Sequence, residues 1–365
     1  MSLIKMHPIA VSIVVFIVLV IIVILIITRP HTSPLLNSKG DLCSNSIAEI
    51  SSVKIGGIKQ GIVIRGENIE NPILLFLHGG PGFAETGLFR HFNHALEKNF
   101  IVVYWDQRGA GRSYHKTLND QPMTIDQFVS DIRELANYLR MRFNKEKIYL
   151  VAHSWGTIIG MLAIKKYPEL FYAYVGTGQC ANMPEGEKIS YKYTLNKARE
   201  ENNEKAVTEL KSIGEPVNGV YQEGLPGTDT QRKWLLRFGG AAYGRQDWNN
   251  FIKILLKTDE YSLMDRIKLL KGMNLSVKNQ MVEREFLSFN LMKSVKEVNV
   301  PVYFFLGRHD YQIPSVVAEE YFKMLKAPKK ELIWFEQSAH SPCFEEAEKF
   351  NRLVTEKFSA DAYQK

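Results

Sequence analysis

The sequence predicts an α/β protein, with a mostly parallel sheet, helices on both of its faces and a helical insertion ahead of its last two strands. Three observations carry this. Short apolar runs alternate with amphipathic helical stretches in both the first half and the last quarter of the chain. The runs are continuous rather than alternating polar and apolar, as strands covered on both faces are. The alternation stops between about 182 and 296, where the chain becomes helical and lysine-rich.

Residues 52–65 read as a hairpin about Gly56 and Gly57, and the apolar runs 73–77 and 100–105 as strands. Thr124 can cap a helix through Phe143, because Phe128, Ile132, Leu135 and Leu139 recur at helical spacing. A strand at 148–152, a helix at 155–166 and a strand near 171–175 follow. The alternation resumes with a strand at 302–307, a helix at 316–325, a strand at 332–335 and a last helix at 345–358. No internal repeat appears.

One segment stands apart from this pattern. Residues 9–27, "IAVSIVVFIVLVIIVILII", are uncharged and long enough to cross a hydrocarbon core of roughly 30 Å as a helix. The stretch exceeds the apolar region of a cleaved signal, and "TRPHTSP" after it offers no small-x-small cleavage site. The expectation is a transmembrane anchor and a single-pass membrane protein. Lys5 lies before the segment and Arg29 and Lys39 after it, so the charge bias is weak, and the short leading tail favours an extracytoplasmic catalytic domain. The expected organisation is a tail over 1–8, an anchor over 9–28, a linker over 29–41, a core over 42–181 and 297–365, and a helical cap over 182–296. The cap aromatics Tyr191, Tyr193, Trp234, Phe238, Tyr243, Trp248 and Phe251 divide between cap packing and substrate contact.

Composition excludes several classes. The net charge of +7 comes from basic residues scattered among acidic ones, without the aromatic-laced stripe of a nucleic-acid site. Cys43, Cys180 and Cys343 are odd in number and far apart, which fits neither a disulfide framework nor a zinc site.

The stretch "KIYLVAHSWGTIIGMLAIKKYP" runs an apolar strand into Ser154 and then a helix, the setting of a nucleophile elbow, with Ala152 and Gly156 as the small neighbours that relieve crowding. A serine nucleophile needs a base and the base an orienting acid, in the chain order serine, acid, histidine. The strand "PVYFFLGRHD" ends at Asp310, and "ELIWFEQSAHSP" carries His340. His309 is the rival base, and Asp265 and Glu336 the rival acids. His78 and His153 are expected to support their turns. Attack on a carbonyl makes an oxyanion that requires aimed backbone N–H donors. Trp155 is expected to supply one and Gly80, in "LHGGPG", the other, with Gly79 the alternative.

Together "HGGPG", "YWDQRGAGRS", "HSWG", "GRHD" and "SAHSP" resemble the prolyl aminopeptidase (proline iminopeptidase) family of α/β-hydrolases, from about Ile55 to the C-terminus. The resemblance implies the α/β-hydrolase fold, release of an N-terminal residue from small peptides through an acyl-enzyme on Ser154, no metal or other cofactor, and loop-bracing roles for Asp106 and Arg108. The chain departs from the family where a cap Trp-Glu pairing is expected to hold the substrate ammonium; it reads "KWLLRFGGAAYG" there. Glu185, Glu187, Asp229 and Asp247 are candidate substitutes. Without such a carboxylate the enzyme would be a carboxylesterase or amidase on neutral substrates. A non-catalytic binding protein on the same fold is the third alternative.

Overall fold

The structure, a computed structural model, describes residues 8–37, 39–120, 123–245, 247–278 and 285–362. Its eight strands are β1 (Ile47–Ile55), β2 (Ile58–Gly66), β3 (Ile73–Leu77), β4 (Ile101–Trp105), β5 (Ile148–His153), β6 (Phe171–Thr177), β7 (Val302–Gly307) and β8 (Lys330–Phe335). They form one sheet in the order β1-β2-β4-β3-β5-β6-β7-β8. The β1–β2 hairpin and the β2–β4 pairing are antiparallel, and every pairing from β4 to β8 is parallel. The hairpin is longer than the sequence suggests, because Ile47 to Ser51 pair fully with residues 62–66.

The helices are α1 (Pro8–Ile27), α2 (Thr86–Asn93), α3 (Ile125–Phe143), α4 (Trp155–Lys166), α5 (Met183–Glu200), α6 (Glu204–Ile213), α7 (Leu225–Arg237), α8 (Asn249–Lys257), α9 (Leu263–Lys278), α10 (Leu291–Ser294), α11 (Ser315–Met324), α12 (Pro342–Glu345) and α13 (Ala347–Ala362). Successive strand residues face opposite sides. Ile73, Leu75 and Leu77 therefore pack towards α3, α4 and α11, while Leu74 and Phe76 pack towards α2 and α13. The Thr124 side chain does cap α3, accepting from the Gln127 N–H at 3.3 Å, and Asn144 closes it in the left-handed region at φ 49°. Between β6 and β7 the chain is helical, α5 to α10. There Tyr191, Leu210, Tyr221, Trp234 and Phe238 form a small core of their own.

The transmembrane anchor expected over 9–28 is corrected. The segment does form a helix, α1, but among the described residues no helix is long and apolar enough to cross a membrane. Single-pass membrane localisation and the extracytoplasmic side are corrected with it. The segment expected as a linker is docked: Thr32 donates to Glu260 at 3.1 Å, and Arg65 donates to the Ser33 carbonyl at 2.6 Å.

Register places the site. Leu77 lies opposite both Trp105 and Ala152, Thr177 opposite His153 and Phe305, and Gly307 opposite Phe335. The parallel strands thus finish at one level, and the turns after them meet at a single edge, where open α/β sheets bind ligands. The loop after β4 is braced there from two sides. Asp106 accepts from Thr86 (2.7 Å), Tyr261 (2.6 Å) and the Arg112 N–H (2.9 Å). Arg108 grips Asp131 on α3 with two hydrogen bonds of 2.9 Å, with Asp131 wholly buried.

Removing one partner of such a buried pair leaves an uncompensated charge. The Arg108→Met variant is therefore expected to lose about 3–5 kcal/mol of stability in urea unfolding. An unchanged unfolding midpoint would show that the pair does not brace the loop.

Candidate active site

Ser154 occupies the turn between β5 and α4 at φ 53°, ψ −122°, in a region that non-glycine residues enter only at an energetic cost. Backbone hydrogen bonds hold it there. Its N–H donates to the Thr177 carbonyl at 3.0 Å, and its carbonyl accepts from the Thr157 N–H at 2.8 Å. Gly156 must be glycine for the turn to close, because a methyl group there would lie 2.4 Å from the Leu77 carbonyl oxygen. Trp155 begins α4, so its N–H is one of the helix-initial donors that no helical carbonyl reaches.

Asp310 and His340 lie side by side. His340 Nδ1 lies 3.0 Å from Asp310 Oδ2, and the other Asp310 oxygen accepts from the N–H groups of Gln312 and Ile313, each at 2.9 Å. Glu345 fixes the His340 loop by accepting from the N–H groups on either side, Ala339 at 3.0 Å and Ser341 at 2.9 Å. His340 Nε2 is buried, and no hydrogen-bond partner meets it among the described residues. It lines the same cavity as Ser154.

The rival residues are placed elsewhere. His309 lies against the Tyr243 ring, 4.7 Å between centroids. Asp265 accepts from Ser262 at the start of α9, and Glu336 is paired on the surface with Arg308.

The glycine loop after β3 is pinned on both sides of one residue. The Gly79 N–H donates to Glu85 Oε2 at 2.8 Å, and the Gly79 carbonyl accepts from His78 Nδ1 at 2.7 Å. His78 Nε2 accepts the Gln107 N–H at 3.0 Å, so Nδ1 carries the proton. Burial pushes His78 below its ordinary value, in keeping with this neutral form. In a trans peptide the next N–H points opposite to the carbonyl. The Gly80 N–H is therefore aimed away from His78, while that of Gly79 is already engaged. Gln107 also links this loop to α4, donating to the His78 carbonyl at 2.9 Å and accepting from the Trp155 indole at 3.0 Å.

A second carboxylate–histidine pair, Glu85 and His153, lies beside Ser154. His153 Nδ1 is 2.9 Å from Glu85 Oε1, and its Nε2 lies 3.3 Å from both the His340 carbonyl and Ser341 Oγ. Burial alone would lower His153 and raise Glu85. Their mutual attraction and hydrogen bond prevail, so His153 lies above its ordinary 6.5 and Glu85 below its ordinary 4.5. Glu85 has no signature in the sequence, being a single acid eight residues after β3, and His153 is expected there only to support its turn.

Two lobes open from Ser154. The first, about 390 Å³, is lined by Glu85, His153 and His340 and by the apolar side chains of Phe83, Leu88, Trp248, Phe251 and Phe344, among others. The second, about 220 Å³, shares Gly80, Ser154, Trp248 and Gln312 with the first and adds Arg232 and Phe286. None of the four cap carboxylates lines either lobe. Glu185, Asp229 and Asp247 are exposed, and Glu187 is buried beneath Arg232.

Residues 72–214 match the alpha/beta hydrolase fold family. A probable aminopeptidase, YbaC, of Bacillus subtilis is 34% identical over 316 residues, covering 85% of this chain and 96% of that protein. The chain belongs to the proline iminopeptidase family of α/β-hydrolases. It is, with that family, a serine hydrolase. The proline iminopeptidase of Heyndrickxia coagulans is 24% identical over 79% of this chain and 91% of its own. The crystal structure of the Mycobacterium smegmatis proline iminopeptidase shares the fold, with a TM-score of 0.61 at 17% identity over 86% of this chain and 98% of that one.

The Glu85–His153 pair has a pH signature. His153 is raised, so its contribution to stability is complete below pH 6.5 and is lost as the pH climbs through its folded value. Glu85 is lowered, so its contribution is present above pH 4.5 and is lost as the pH falls through its folded value. Wild type should therefore exceed His153→Gln in unfolding free energy by about 3 kcal/mol between these limits, and by less on the alkaline side. A difference that stays flat from pH 5 to 9 would remove the charged pair.

Proposed function

We propose that this serine hydrolase is an aminopeptidase that releases the N-terminal residue of short peptides through an acyl-enzyme on Ser154. The observation that carries the reading is a buried histidine nitrogen, His340 Nε2, left without a partner in the cavity it shares with the strained Ser154. Buried polar groups are nearly always paired, so an unpaired one in a cavity marks a place for a reacting partner. In structures without substrate such catalytic contacts are often still open.

In this reading Ser154 Oγ attacks the carbonyl carbon of the first residue while His340 Nε2 accepts its proton, and Asp310 orients the ring through Nδ1. The oxyanion is held by the N–H groups of Gly80 and Trp155. His340 returns the proton to the departing amine as the C–N bond breaks. Water, deprotonated by the same nitrogen, then attacks the ester and frees Ser154. The helices over 182–296 serve as a cap that closes the two lobes. The α-ammonium of the substrate faces Glu85, a carboxylate that lines the first lobe from the core side. Support also comes from the relative described as a probable aminopeptidase, which aligns over nearly its whole length.

A second reading, a carboxylesterase or amidase on small neutral substrates, is favoured by one observation. Glu85 is already shared between the Gly79 N–H and His153, and among the described residues no cap carboxylate lines the lobes.

Rates on prolyl and alanyl anilides beside their N-acetyl forms separate the two. The aminopeptidase reading expects cleavage of the free-amine substrates alone, and a KM raised roughly tenfold in Glu85→Gln. Equal rates on both sets, or ester cleavage alone, would move the assignment to the esterase or amidase. Ser154→Ala is expected to fold as wild type does and to lose at least about three orders of magnitude in kcat. Comparable turnover would sink the mechanism.

A further inference from the structure

Arg232 lines the second lobe of the cavity and has no part in the chemistry assigned to Ser154, Asp310 and His340. It lies on α7, one helical turn after Thr228, so both side chains reach the lobe from the same face. Among the described residues that line this lobe it is the one charged side chain. The guanidinium is held from behind by a buried polar shelf. One terminal nitrogen donates to Glu187 and the other to Gln231. Gln231 is in turn fixed by donating to Ser190 at 2.8 Å and to Thr194 at 2.9 Å. Glu187, Ser190 and Gln231 are all buried, whereas the Arg232 side chain keeps 23% of its surface open.

Such an arrangement costs desolvation and is not needed for packing, since an apolar side chain of similar length would fill the same space. What it provides is a pre-oriented fork. A guanidinium has five N–H groups, and the contacts to Glu187 and Gln231 take one from each terminal nitrogen. The planar fork matches a carboxylate, which can accept two parallel N–H bonds. The two lobes meet at Ser154 and Gly80, with Glu85 lining one and Arg232 the other. A substrate whose scissile carbonyl sits at Ser154 therefore has an acidic wall on one side of the bond and a basic one on the other.

We propose that Arg232 makes the second lobe a carboxylate subsite on the leaving-group side, so that the preferred substrates are dipeptides whose C-terminal carboxylate is held by its guanidinium. The proposal rests on Ser154 as nucleophile and on a substrate amine in the first lobe. At about 220 Å³ the lobe suits one residue rather than a long peptide. Thr228 and Gln312 border it and can donate further hydrogen bonds to the same carboxylate.

The test uses the full-length protein, with kcat/KM measured for Pro-Gly and Ala-Gly, for their C-terminal amides, and for prolyl, glutamyl and glutaminyl anilides. Wild type is expected to favour each dipeptide over its amide by roughly ten- to a hundredfold, carried mainly in KM. In Arg232→Met the ratio should fall towards one. Because that change leaves Glu187 buried and unpaired, the double variant Glu187→Gln/Arg232→Met is measured beside it, and thermal unfolding checks that both fold. A ratio near one in wild type, with free-amine anilides still cleaved, overturns the subsite and leaves the aminopeptidase reading standing. A wild-type ratio that persists in both folded variants overturns the role of Arg232. A preference for the glutamyl over the glutaminyl anilide that vanishes in the variants would put the carboxylate on the acyl side and overturn the proposal as stated. Failure of the free-amine requirement itself would remove the reading on which the subsite rests.

Discussion

The close approach of α4 to the end of β3 is the contact on which the site depends. At Gly156 the helix backbone passes so near the Leu77 and His78 carbonyls that no side chain fits between them. That approach sets the sharp turn at Ser154, with its positive φ, and brings the first turn of α4 alongside the glycine loop. The two loops then share hydrogen bonds through Gln107, which joins His78 to the Trp155 indole. Strain at one residue is thus held by several unstrained contacts around it, as sites with unusual backbone geometry require.

The polar groups at this edge are nearly all buried, which makes each partner consequential. His78 is kept neutral by burial and spends both ring nitrogens on backbone groups. His153 is driven the other way by the Glu85 carboxylate. Two histidines within one site therefore carry opposite charge tendencies, decided by whether a carboxylate lies against them. Burial likewise raises Glu345, even as it holds the backbone on either side of His340.

Around the cavity the helical segment contributes shape more than charge. Trp248 and Phe251 line the first lobe and Phe286 the second, whereas Tyr191, Trp234 and Phe238 pack with one another. Of the four acids weighed for a substrate amine, Glu185, Asp229 and Asp247 are exposed and Glu187 lies beneath Arg232. The charged groups that do line the lobes, Glu85 and Arg232, come from α2's start and from the middle of α7.

Much of the sheet was legible in the sequence because strand and helix leave periodic apolar patterns, and the turns around Ser154, Asp310 and His340 carry local signatures at strand ends. The start of the β1–β2 hairpin is not legible, since Ile47 to Ser51 mix apolar and polar residues that are all half-buried and carry no continuous apolar run. The membrane span expected from hydropathy is not found, since among the described residues no helix is long and apolar enough to cross a membrane. Glu85, Arg232 and the division of the cap aromatics were out of reach for a different reason. Glu85 and Arg232 depend on partners 68 and 45 residues away, His153 and Glu187, and the aromatics divide according to how the cap helices pack. Sequence by itself determined the order of elements and the residues with chemical potential at the strand ends, because those depend on local pattern. The tertiary structure alone decided which N–H of the glycine loop is available, which histidine is paired with which acid, and which charge faces each lobe, because those depend on contacts that exist only once the sheet has closed its register.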